Sequence, residues 1–137
     1  MEPMANDVAQ LLDQSLQVVA EAGEDLTPHF FSRLFERHPE QEENFFHPAI
    51  TCGPMVNEII ESLLALAGDA GWVRSSIQEL VIAHRSFGDI PQELYAEVFD
   101  ILIETMADLA GEKWTAEYDA AWRGQANQLT EIVRAAF

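Results

Sequence analysis

Cysteine and basic side chains are scarce in this chain, and long apolar runs are missing. Cys52 is the one cysteine, so an intramolecular disulfide is impossible and a reduced intracellular setting is expected. Lys and Arg total 7 against 24 acidic residues, a formal net charge of −17. The clustered cations of a phosphate-binding surface are absent, which argues against nucleic acid as a partner. Anionic membranes would repel the chain for the same reason. No apolar stretch approaches the roughly 20 residues that a spanning helix needs. The opening MEPMANDVAQ has no basic segment followed by an apolar run, so no secretory signal is expected and the location read from it is cytoplasmic. Sustained two-residue alternation and β-branched runs are also lacking, which leaves no expected sheet. Neither a Gly-rich phosphate loop nor a Cys/His zinc spacing occurs. Cys52 has no orienting context for nucleophilic catalysis, and the carboxylates are scattered over polar faces without a glycosidase-like pair.

What is present is helical periodicity on a hydrophobic background. At 48% hydrophobic residues the chain is not of the disordered class, and 137 residues suffice for one domain that buries about two-thirds of its unfolded surface. A first helix, capped by Asn6 or Asp7, carries Val8, Leu11, Leu12, Ser15, Leu16 and Val19 and ends near Gly23. Thr27-Pro28 predicts a second start, with Phe30, Phe31, Leu34 and Phe35 inside and a stop near His38-Pro39. A third begins near Pro54 and carries Val56, Ile59, Ile60, Leu63, Leu64 and Ala67 as far as the break at Gly68 to Gly71. A fourth spans about Trp72 to Arg85, stopped by Phe87-Gly88. Pro91 opens a fifth, which Gly111 ends, and Thr115 caps the last, with Trp122, Gln125, Leu129 and Val133 on its stripe. The stretch from Pro39 to Gly53 reads as the longest irregular connection and hence as a site-forming segment. The expectation is an all-α fold of six to eight helices around one core, with His29 and His38 as helix-end residues.

One histidine falls on an apolar stripe. In SSIQELVIAHRSFG, Ile77, Leu80, Val81 and His84 follow the i, i+3, i+4, i+7 rhythm, so the imidazole points where the aliphatic side chains point. A polar ring on a core-facing surface needs a partner. A metal held in an apolar pocket is one such partner, and a hydrogen-bonded core histidine is the other reading of the same pattern.

Several segments together resemble the globins, in particular bacterial single-domain globins and the haem domain of flavohaemoglobins. FFSRLFERHPEQEENFF is similar to the family's second helix and following turn, HRSFGDIPQELY to its proximal segment, and LAGEKWTAEYDAAW to the corner between its last two helices. Phe45 then matches the phenylalanine that packs on the haem, 39 residues before His84. The resemblance runs from about residue 7 to 137 and implies a single globin domain over 1–137 with a haem pocket. It implies haem b, since no C-x-x-C-H attachment motif exists, with His84 as the iron ligand and a diatomic gas (O2, CO or NO) as the reversible partner. Phe31, Phe45, Val56, Ile60, Leu80, Ile90, Val98 and Leu102 would wall the haem, although each also reads as ordinary core.

Against the family pattern the distal side is poor in donors. Ungapped alignment puts Cys52 where a distal Gln or His usually stands, Phe31 replaces a frequent Tyr, and Val56 takes the next inward place. A slip of three residues puts Met55 over the iron instead, and His47 is an outside candidate for a sixth ligand. On the proximal side Tyr95 matches the tyrosine that supports the histidine, while the glutamate that completes the pair has no match near Phe137. Arg85 is a candidate partner for a haem propionate. The resemblance, without an attached flavin or nicotinamide segment, points to a gas binder assisted by a separate reductase rather than to a self-sufficient enzyme. Partner-dependent NO dioxygenase or peroxidase-like activity is the enzymatic variant. A haem-free globin-fold module that regulates a protein partner is the alternative, and the oligomeric state is left open.

Overall fold

In the computed structural model, residues 5–44, 48–67, 71–84 and 91–137 are described. They form six α-helices and no strand: α1 Ala5–Glu21, α2 Leu26–Arg37, α3 Pro48–Ala65, α4 Gly71–His84, α5 Gln92–Ala110 and α6 Ala116–Ala136. Short 3-10 turns follow α2 at Pro39–Asn44 and α5 at Gly111–Lys113. The architecture is all-α, as the globin resemblance implies.

α5 and α6 form the centre. α6 packs on α5, α4, α1 and α3, while α2 and α1 both lie against α5. α5 buries Val98, Phe99, Ile101, Leu102, Ile103, Thr105 and Met106 over a broad face and leaves Glu93, Asp100 and Asp108 exposed on the opposite side. An apolar face this wide lets more than one helix pack against it. The outer helices show one stripe each, as α1 does with Leu12, Ser15 and Val19.

Two polar residues on apolar stripes find partners that explain their burial. Ser15 and Trp122 are both fully buried, and the indole Nε1–H donates to Ser15 Oγ at 2.8 Å while that hydroxyl donates to Leu12 O at 2.8 Å. This tie fixes α1 to α6. Gln125, on the same face of α6, donates its amide to Leu63 O at 2.9 Å. That carbonyl lies in the last turn of α3, where helix carbonyls lose their intrahelical partners, and the Ala67 N–H goes to Leu64 O instead.

Helix ends account for most departures from the expected boundaries. α2 is capped by Asp25, whose carboxylate accepts from the Thr27 N–H at 3.0 Å, so Thr27 lies inside the helix rather than at its cap. α1 starts at Ala5, ahead of both expected caps. α3 begins at Pro48, a residue suited to a first turn, and Pro54 falls within it. The expected irregular segment from Pro39 to Gly53 is therefore corrected: it is a 3-10 turn and then the first turns of α3, apart from residues 45–47, which lie outside the described residues. The remaining caps agree with expectation. Thr115 Oγ1 accepts from the Tyr118 N–H at 3.1 Å, and Gly111 ends α5 at φ 62°, a left-handed conformation that an L side chain would strain. No described helix is long and apolar enough to cross a membrane.

Candidate functional site

The last turns of α4 place Ile77 and Val81 in the core and leave His84 half-buried at the helix end. The His84 Nδ1 stands 2.8 Å from Leu80 O, one turn earlier. A carbonyl can only accept, so Nδ1 carries a proton and is the donor in this bond. A backbone bond of this kind fixes both tautomer and ring orientation, which is how an imidazole is prepared to be a metal ligand. Tyr95, in the first turn of α5, meets the imidazole edge-on with ring centroids 6.1 Å apart. Its other side meets Phe137 at the end of α6, 5.8 Å away and also edge-on.

The expected wall residues come from three further helices. Phe31 on α2 is buried, set edge-on to Phe30 at 4.8 Å and tilted to Phe35 at 5.6 Å. Val56 on α3 and Val98 and Leu102 on α5 belong to the same buried cluster, with Met55, Ile60 and Tyr95 packed against it. Leu80 is half-buried and enters the site through its carbonyl. Phe45, His47, Arg85 and Ile90 lie outside the described residues, and Cys52 lies on α3 with its side chain outside them. Phe31, Met55 and Val56 carry no strong hydrogen-bond donor.

The seam between α2 and α5 has a different chemistry. Arg37 donates to both carboxylate oxygens of Glu104 at 2.8 and 2.9 Å, and Arg33 bonds Asp108 and Thr105. The Glu104 carboxylate raises the Arg37 pKa. His38, which ends α2, has Nε2 2.8 Å from Glu97 and Nδ1 3.2 Å from Glu40. The hydrogen bond to Glu97, joined by that to Glu40, raises the His38 pKa above the ordinary histidine value. This seam escaped the sequence reading, which took His38 for a mere helix-end residue. A signal existed: three of the few basic groups fall within Arg33 to His38, opposite an acidic series at Glu97, Glu104 and Asp108 with helical spacing. Among the described residues, no group of three or more His, Cys, Asp or Glu side chains is arranged to hold a metal ion.

With that geometry in view, the comparisons with known proteins fall in one place. The chain is similar to flavohaemoproteins. It is 27% identical to one from Vibrio cholerae over 82% of its length, and 25% identical to one from Halalkalibacterium halodurans over 94%. A flavohaemoprotein of Bordetella pertussis matches at 26% over 95% of the chain. The likeness bears out the resemblance to globins drawn from the residues. No family model matches. The chain spans about a third of the length of these relatives (29–33%), so the match concerns one part of them.

Proposed function

We propose that residues 1–137 form a single globin domain that binds haem b through His84 and reversibly binds a diatomic gas. The observation that carries this reading is the 2.8 Å contact between His84 Nδ1 and Leu80 O, which fixes Nδ1 as the donor, so that Nε2 is the nitrogen that would serve as the ligand. The donor suits the group: neutral imidazole is a good axial ligand for haem iron, and the apolar helices around it suit a flat apolar cofactor. The likeness to proteins named for haem and flavin agrees. Haem, if bound, would be held by His84 and would supply an iron able to bind a diatomic gas.

The chain's own residues do the rest. Leu80 holds the imidazole in register, and Tyr95 limits rotation of the ring from the α5 side. Phe31, Val56, Val98 and Leu102 keep water from the interior. Phe45, Ile60 and Ile90 complete the proposed wall, Arg85 is the proposed partner of a propionate, and the proposed distal set is Val56 with either Cys52 or, on an alignment shifted by three residues, Met55. O2 takes on negative charge when bound and gains from a donor, whereas CO is less polar. A distal set without a strong donor therefore takes CO readily and holds O2 poorly. Oxygen transport or storage and gas sensing are both compatible with such a site, in the cytoplasm, with a reductase as the partner that keeps the iron ferrous.

Titration of the protein with haemin beside a His84→Ala variant, followed by visible absorption, tests the reading. A stoichiometric Soret band that is lost or shifted in the variant is expected. Flat titrations of both proteins would overturn haem binding and leave the regulatory, haem-free module. An O2 complex stable for hours would overturn the donor-poor distal side.

A further inference from the structure

We propose that His38 is a proton-controlled latch that ties the Pro39–Asn44 turn to α5. Three elements meet at this side chain. Its backbone ends α2, with the His38 N–H bonded to Leu34 O at 2.8 Å, so the ring starts from a fixed point. Nε2 reaches Glu97 on α5 at 2.8 Å, and Nδ1 reaches Glu40 in the turn at 3.2 Å. Ionised carboxylates only accept hydrogen bonds, and a neutral imidazole has one N–H to donate. Both contacts can be hydrogen bonds at once only when the ring is an imidazolium. The doubly bonded arrangement is therefore the protonated one.

Loss of the proton leaves one donor for two carboxylates. The nearer, less exposed Glu97 keeps it, with 39% of its side chain exposed against 63% for Glu40, and the tie to the turn is given up. The surroundings favour the charged form. Facing His38 are Glu40 from the turn and Glu97 from α5; beside it on α2, Arg37 is engaged by Glu104 and also feels Glu97 and Glu36. The hydrogen bonds to Glu97 and Glu40 raise the folded-state value above the ordinary 6.5. The latch is thus fully engaged below the unfolded value and is released as pH rises through the higher folded value. The consequence is local. The turn leads directly into residues 45–47, and α5 carries Tyr95 two positions from Glu97. A proton at His38 decides whether that turn is held to the central helix.

The test is an NMR titration of the His38 ring together with amide exchange at Gln41, whose N–H bonds His38 O at 3.0 Å, in the wild type, Glu97→Gln and Glu40→Gln. In the wild type the ring is expected to titrate above 6.5. Exchange at Gln41, corrected for intrinsic base catalysis, should step up about two- to fivefold through the same transition, the range a part-exposed ion pair supports. Glu97→Gln lowers the ring's titration point, and Glu40→Gln abolishes the exchange step while the ring still titrates. Titration at the ordinary histidine value, or a step that persists in Glu40→Gln, overturns the proposal. The exposed Glu40 makes its substitution compatible with folding, so the test does not depend on replacing His38.

Discussion

His38 and His84 both end helices and both meet a side chain of α5, yet their surroundings differ in kind. His84 Nδ1 donates to the backbone carbonyl of Leu80, and its ring lies beside Tyr95. His38 lies between two carboxylates, whose hydrogen bonds raise its pKa. In the proposed reading the same side chain serves as a ligand at one place and as a cation at the other. What differs is whether the nearest acceptors are dipoles or charges. Dipoles select a tautomer and charges select a protonation state.

The largest break of this comparison comes from the helix that both corners share. Leu102 is fully buried in α5, and Leu102→Ala should cost about 2–5 kcal/mol through lost burial and a residual cavity, read as a lowered urea midpoint. Both histidines should lose their defined environments together; if one alone responds, α5 is not their common support. Phe137→Ala separates the two corners. It removes an edge-on partner of Tyr95 that is half-exposed, and about 0.5–1.5 kcal/mol is expected from the ring pair. The NMR signals of His84 should move and those of His38 should not.

The smallest effect belongs to the ion pairs of the α2–α5 seam. Arg37 and Glu104 are 41% and 42% exposed, so Glu104→Gln should cost about 0.2–1 kcal/mol at low salt, and that cost should vanish near 1 M NaCl. A salt-independent loss would mean that Glu104 packs rather than pairs. His38, by contrast, contributes most on the acid side. Its stabilisation is present below 6.5 and fades as pH rises through the raised folded value, opposite to the loss expected on acidification from carboxylates paired in the folded state.

Much of this was legible in one dimension because it depends on local chemistry. Thr115, Gly111 and Pro91 mark helix ends through their own backbone preferences and side-chain oxygens. The apolar stripes of α1, α5 and α6, and the placement of His84 on one of them, follow from a period of 3.6 residues alone. The same period placed Ser15 and Gln125 on inner stripes, although nothing along the chain named their partners. The start of α3 was misplaced because Pro54 reads as a helix opener, whereas Pro48 does that work six residues earlier.

The sequence by itself therefore determined the all-α class, the order of helices and the histidine that faces inward, since each rests on contacts within a few residues. Only the tertiary structure decided the partners of His38, whereas the Nδ1 proton of His84 follows from Leu80 one turn away. The Trp122–Ser15 tie joins residues 107 apart, the Gln125–Leu63 bond joins residues 62 apart, and Glu97 reaches His38 across 59. Protonation and polar satisfaction depend on distances of about 3 Å between such remote groups, and no pattern of neighbours along the chain encodes them.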